Sequence, residues 1–175
     1  MEDKEVLFAF MEQHSFATIV SHDGGAPVAT HMPVLLRRDK GTLASHIARA
    51  NPQWKHFANG QEVLVIFTGP HAYISPAWYA SQPAVPTWNY SAVHVYGRPR
   101  IVSDHDEFAT MLSELVEFYE SSREPRWDGA MPEEFRDGLM QAIVGIEIEI
   151  TRIEGKFKLS QNRPADAVGV IEALN

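Results

Sequence analysis

The chain has 175 residues, a mass of 19.7 kDa, 45% hydrophobic and 22% charged residues, so a single globular domain over residues 1–175, burying roughly 70% of its unfolded surface, is expected. The absence of cysteine excludes disulfides, thiolate metal sites, iron–sulfur clusters and cysteine nucleophiles. No run reaches the roughly 18 apolar residues of a membrane span, the start is acidic, and the net charge of -8 opposes non-specific nucleic-acid binding. These features predict a soluble, cytoplasmic protein without membrane contact.

Val6, Leu7, Phe10 and Met11 have helical spacing, and Phe16–Val20 reads as a strand after them. His22-Asp23-Gly24-Gly25 is turn chemistry, which makes Val28–Arg37 the returning arm of a hairpin. A third strand, Thr42–His46, follows the Asp39-Lys40-Gly41 turn. Asn51-Pro52 then starts a short helix with Trp54 and Phe57 on one side, stopped by Gly60.

Glu62–Thr68 is a strand of buried character, and His71–Ile74 is another. Four prolines between Pro70 and Pro86 leave a shaped, aromatic-rich loop that ends in a strand continuing to about Val102. Asp104–Glu120 is an amphipathic helix with Asp104 and Glu107 as a capping box; the charges Asp104, Asp106 and Glu107 read as a solvated helix start. Pro132–Ile143 is a second helix, with Phe135, Leu139 and Ile143 directed inward. Ile146, Ile148 and Ile150 alternate with polar residues, and Glu154-Gly155 is expected to turn the chain so that Lys156–Leu159 pairs back as a hairpin. Pro164–Leu174 closes the chain as a short helix. The hairpin order and peripheral helices predict a mainly β, α+β architecture, an antiparallel barrel or sandwich.

The eight histidines show no metal-type spacing, and no metal site is expected. Dinucleotide, Walker-type and α/β-hydrolase signatures are missing too. Phosphate chemistry without a glycine-rich loop remains open: Ser45 and His46 run through Arg49 to the capped start at Asn51, where a guanidinium fork and free backbone N–H groups suit a phosphomonoester. Arg49 pairing with a surface carboxylate is the alternative. Tyr73, Trp78, Tyr79, Trp88 and Tyr90 suit either the wall of a planar-ligand pocket or plain loop packing. Thr87, Trp88 and Asn89 bring a hydroxyl, an indole N–H and an amide to a loop edge. Arg98 and Arg100 share a strand face, as do Lys156 and Lys158, a pattern compatible with a nucleic-acid footprint or an anion site.

The stretches LASHIARANPQWKHF, HAYISPAWYASQPAVPTWNYSAVHVYG and GIEIEITRIEGKFKLSQNRPADAVGVI resemble, in order and over nearly the whole chain, the PaiB-type FMN-binding negative transcriptional regulators. The resemblance departs at the start, where members usually carry a longer aromatic leader. That family is similar to the split-barrel flavoproteins related to pyridoxamine phosphate oxidase. The resemblance implies a six-stranded antiparallel split β-barrel, a homodimer, and FMN at the subunit interface. It assigns phosphate binding to Arg49 and Asn51, with His46, Thr30 and His31 as neighbours. It brings Thr87, Trp88 and Asn89 toward the flavin, together with Lys158, Gln161, Asn162 and Arg163, which a partner subunit could supply.

Two functions follow. The first is a dimeric FMN-binding repressor or flavin-responsive regulator with DNA as a potential partner. The second is an FMN-dependent oxidoreductase acting on a small-molecule substrate, in which the flavin carries the chemistry. Haem binding through His31, His46, His71 or His94 is a third, weaker reading.

Overall fold

The computed structural model describes residues 3–174; Met1, Glu2 and Asn175 lie outside it. Helix α1 (Lys4–Gln13) starts at Asp3, whose carboxylate accepts from the Glu5 N–H. Then come β1 (Phe16–Ser21), β2 (Val28–Pro33), β3 (Leu35–Arg37) and β4 (Thr42–Ala48). A 3-10 helix, Pro52–Asn59, ends at Gly60 in the left-handed region, as expected from its Asn-Pro start. Strands β5 (Val63–Ile74) and β6 (Thr87–Val102) flank the proline-rich loop. Helices α2 (His105–Glu120) and α3 (Glu133–Gln141), strand β7 (Ile143–Lys158) and helix α4 (Ala167–Leu174) complete the chain.

All strand pairs are antiparallel, in the order β2-β1-β5-β6-β7-β4-β3. The edge strands β2 and β3 are separated in sequence by Val34 alone, so the sheet must curl until its edges meet. The two edges are joined by Ser45 Oγ of β4 donating to the Pro33 carbonyl of β2 at 2.6 Å. Val28–Arg37 is thus one arm bent at Val34, where one strand was expected. Counted as one arm it gives a six-stranded barrel; counted by hydrogen bonding it gives seven strands.

The interior takes alternate residues, among them Ile19 of β1, Leu43 of β4, Val65 and Phe67 of β5, Val93 and Val95 of β6, and Ile146 and Ile148 of β7, all buried. The apolar side of α1, with Phe10 and Met11, joins this core. Helices α2 and α3 cover the outer face, where Phe108, Met111, Leu115 and Met140 pack on Leu35, Ala44 and Val102. Gly145 admits that layer, since a Cβ there would lie 2.6 Å from the Phe108 ring.

Three further expectations are corrected. No turn forms at Glu154-Gly155; β7 runs straight through, with Gly155 opposite Val93 and Lys158 opposite Tyr90, because β6 is long enough to pair the whole segment. Helix α3 turns Met140 inward, leaves Phe135 59% and Leu139 49% exposed, and stops before Ile143, which opens β7. Glu107 is more than a solvated charge. Asp104 caps α2 by accepting from the Glu107 N–H, and the Glu107 carboxylate pairs with Arg100, which also binds Glu147. Arg37, only 7% exposed, bridges Glu147 and Glu114 at 2.6 Å each. This ionic cluster ties α2 to β3, β6 and β7.

Candidate functional site

The turn from β4 into the 3-10 helix sends its two polar residues opposite ways. Asn51 caps the helix by accepting from the Gln53 N–H at 3.0 Å and donates from Nδ2 to Thr30 Oγ1 on β2 at 2.9 Å. Thr30 therefore keeps its own hydroxyl proton free to donate. Arg49 reaches toward α3, its Nε and Nη2 donating to the Gln141 and Ile143 carbonyls at 2.8 and 3.0 Å. It thus holds a helix C-terminus, where a cation is favoured; neither of its bonds is to a carboxylate. A guanidinium has five N–H donors, so three of them stay available at the edge of a cleft of 450 Å³ shared with Trp54 and the start of α2. His31 is exposed on β2 and stacks on Phe16 at 6.4 Å.

His46 does not join this group. On β4 it alternates with Ser45, which faces the seam, so its imidazole lies against the α2–α3 layer. Burial pushes its pKa down, and Nδ1 is buried with no protein partner.

The second group lies on the part of β5, β6 and β7 that projects past the barrel. Lys158 donates to Thr87 Oγ1, and Asn89 accepts from Ser160 Oγ at 2.9 Å. Trp88 is 53% exposed and meets the half-exposed Tyr73 edge-to-face at 5.9 Å, with His71 at 6.2 Å. Gln161 folds back on its own turn, accepting from the Leu159 N–H at 2.8 Å, and Asn162 is exposed beside it. Arg163 lies over the Tyr79 ring at 5.1 Å and near the buried Asp166. The hydroxyl and N–H of Ser81 hold that carboxyl below the usual range. Ser160, Ser81 and Asp166 escaped the sequence reading. Ser160 has φ 60, and ordinary Ser-Gln-Asn turn chemistry was its only signal.

Within one chain the two groups are far apart. Ile19 pairs with Thr30 on one side and with Val65 on the other, whereas Thr87 is opposite Ile74. The nine residue steps from Val65 to Ile74 correspond to on the order of 25–30 Å of strand. Of the basic strand pairs, Arg100 is neutralised by Glu107 and Glu147, so Arg98 and Arg100 do not form a free cationic face. Among the described residues no three His, Asp or Glu side chains converge as metal ligands, and no helix is long and apolar enough to cross a membrane.

The architecture is an antiparallel split barrel with peripheral helices. The sequence model described as "Putative FMN-binding domain" matches residues 1–152. The chain belongs to that family, and FMN is its cofactor. It is 42% identical over 175 residues to the protease synthase and sporulation protein PAI 2 of Bacillus subtilis, covering 97% of this chain and 83% of that protein. This second likeness reaches past residue 152, where the family match ends. In fold it is similar to the flavocytochrome Anf3 of Azotobacter vinelandii (TM-score 0.71, 16% identity, 90% of this chain and 68% of that one). It is also similar to the FAD and heme binding protein of Mycobacterium smegmatis (TM-score 0.71, 18% identity, 100% and 80%).

The residues fit the cofactor. The unused N–H groups of Arg49 and the hydroxyl proton of Thr30 are each of a kind that suits a phosphate, and the exposed Trp88 ring suits a flat heterocycle.

Proposed function

We propose that the protein is a homodimeric, cytoplasmic regulator that binds FMN where two copies meet. The separation of the two groups within one chain carries this reading. Thr30, Arg49 and Asn51 offer a phosphate site with His31 nearby; Thr87, Trp88, Asn89, Lys158, Gln161, Asn162 and Arg163 offer a ring site, and a mononucleotide does not span the distance between them. One copy supplying the first group and a second copy the other gives a complete pocket, twice over in a two-fold dimer.

When bound, FMN supplies one- and two-electron redox chemistry. The protein's own groups bind and orient it: the Arg49 guanidinium neutralises the phosphate, and Trp88 carries the ring. Regulation through the flavin state is favoured over direct DNA reading. The chain is acidic, and Arg100 is already paired with carboxylates. The name of the Bacillus relative, with protease synthase and sporulation in it, supports a regulatory output.

Complementation tests the shared pocket. Arg49→Ala and Lys158→Ala variants should each bind FMN poorly, while mixing and re-equilibrating them should restore about a quarter of the sites, since mixed two-fold dimers hold one intact pocket. No recovery on mixing, with dimers exchanging, would mean that both groups serve one pocket from the same chain and would overturn the shared site. DNA retardation that persists at about 150 mM salt would shift the reading toward a direct repressor.

The exposed Tyr73–Trp88 pair favours a second reading, an FMN-dependent oxidoreductase in which these rings position a small substrate. Anaerobic reduction of the bound flavin by NADH or NADPH, with turnover following FMN occupancy, would support it. A flavin that no donor reduces would remove it.

A further inference from the structure

We propose that Asp166 is a positioning residue for the flavin: it orients the Arg163 guanidinium so that the Nε–Nη2 edge stays free for polar atoms of the ring. This rests on the ring-site reading above and adds to it a residue that is 2% exposed, too buried to meet the cofactor itself. Residues 160–166 are pinned at both ends. Ser160 Oγ donates to Asn89 of β6 at 2.9 Å, and the Asp166 carboxylate accepts from the N–H and hydroxyl of Ser81, in the proline-rich loop, at 3.0 and 2.7 Å. Arg163 lies between these anchors, its N–H donating to the Ser160 carbonyl at 2.8 Å and its carbonyl accepting from the Asp166 N–H at 3.1 Å.

The side chain is held differently from a closed ion pair. Arg38 forms a two-bond fork on Glu12, with Nε and Nη2 each at 2.6 Å. In Arg163 only Nη1 turns inward, 3.4 Å from Ser81 Oγ and 3.5 Å from Asp166 Oδ2, distances at which charge attraction outlasts hydrogen bonding. The Ser81 bonds satisfy the carboxylate and keep it ionised, its pKa below the ordinary range. Asp166 therefore orients the cation without capturing it. Tyr79, a buried ring whose centre lies 5.1 Å from the guanidinium carbon, supports it from one side. Nε and Nη2 bond nothing among the described residues, on a side chain that is 34% exposed. That edge is a preformed fork for two neighbouring acceptors, and hydrogen bonds or charge at the ring nitrogens are how a protein tunes a flavin.

The test measures FMN affinity by calorimetry for the natural chain, Arg163→Ala, Asp166→Asn and the double variant, with α4 followed by hydrogen exchange. Asparagine keeps the shape and an acceptor for Ser81 but lacks the charge that orients Arg163. Each single variant should bind FMN about tenfold more weakly, the worth of one charge-assisted hydrogen bond. The double variant should bind no more weakly than Arg163→Ala, because the two residues act as one unit. Gly169→Ala presses a Cβ on the Trp78 carbonyl and loosens α4 with both charges in place, and it should keep FMN affinity within about twofold. Losses that add, affinity unchanged or raised in Asp166→Asn, or a tenfold loss in Gly169→Ala would each overturn the proposal, the last by showing that the docking of α4 alone sets affinity. If Lys158→Ala and Trp88→Ala weaken FMN binding and Arg163→Ala does not, this inference falls by itself; if none of the three matters, the ring-site reading falls with it.

Discussion

Strands β5 and β6 pass through two environments, and the border is sharp. Below Gly69, Val65, Phe67, Val93 and Val95 alternate into a closed interior. Above it the ribbon keeps its pairing, His71 with Tyr90 and Tyr73 with Trp88, after a register shift between Thr68 and His71. The exposed rings now find no cover within the chain. The border needs glycine: a Cβ at Gly69 would lie 2.4 Å from Ser91 Oγ and 2.7 Å from the Phe10 ring. The same strand grammar serves stability in one half and display in the other. Large rings left exposed on an ordered ribbon are what a surface meant for a partner or ligand looks like.

The largest expected effect breaks the lower half alone. Phe67→Ala removes a fully buried ring and should cost about 3–5 kcal/mol in urea unfolding, whereas Tyr73→Ala, six residues along the same strand, should stay within about 0.5 kcal/mol. Equal losses would mean that the ribbon is part of the core. Glycines sharpen the contrast. Gly97→Ala drives a Cβ to 2.5 Å from the Glu149 carbonyl within the β6–β7 ladder, while Gly169→Ala meets the Trp78 carbonyl at 2.3 Å on the small outer cluster of Ile74, Tyr79 and Val170. The first should lower the main unfolding transition. The second should release α4 as a separate, earlier opening visible by hydrogen exchange.

Next in size is a binding effect. Arg49→Ala should weaken FMN binding tenfold or more, as loss of a charge-assisted contact worth roughly 1.5–3 kcal/mol. It should also loosen the junction of α3 and β7, where Arg49 holds the Gln141 and Ile143 carbonyls. Unchanged affinity by calorimetry would move the phosphate away from this turn.

Acid should act on the barrel half through its ionic cluster. Burial works to raise the Glu147 carboxyl, but hydrogen bonds and charge from Arg100, then Arg37, outweigh it and hold the pKa below the ordinary value. A carboxylate depressed in the folded state lends stability above its unfolded pKa, near 4.3, and loses it as the pH falls through the lower folded value. Melting temperatures between pH 7 and pH 3 should therefore fall less steeply for Glu147→Gln than for the natural chain. Parallel curves would remove Glu147 from the acid response.

Much of the lower half was legible because periodicity reports burial: the alternation of Ile146, Ile148 and Ile150, the Asn51-Pro52 start and the Asp104 cap all follow from local chemistry. What escaped depends on partners remote in sequence. Gly155 looks like a turn until β6 lies beside it. Val34 looks like mid-strand until the arm bends there to pass from one edge of the sheet to the other. Phe135 and Leu139 match an inward stripe until the layer below is filled by Met140 and Phe108. At the site, the motifs marked the right segments, yet side-chain direction had to come from geometry. Arg49 and Asn51, two residues apart, point to different neighbours, and His46, one residue from Ser45, faces the other layer.

The smallest stability effect is the most informative about the upper half. Trp88→Ala deletes a ring that is 53% exposed and touches Tyr73 edge-to-face, so the unfolding free energy should change by no more than about 0.5 kcal/mol. If the ring is a platform for the isoalloxazine, FMN affinity should fall severalfold and the quenching of flavin fluorescence by the protein should be relieved, because a stacked indole contributes about 1 kcal/mol or more. Trp88→Phe should recover most of the affinity, since a flat apolar face remains. A loss of stability without a change in flavin affinity would mean that the ribbon packs on protein alone, and the division between a folding half and a displaying half would fail at the residue chosen to represent it.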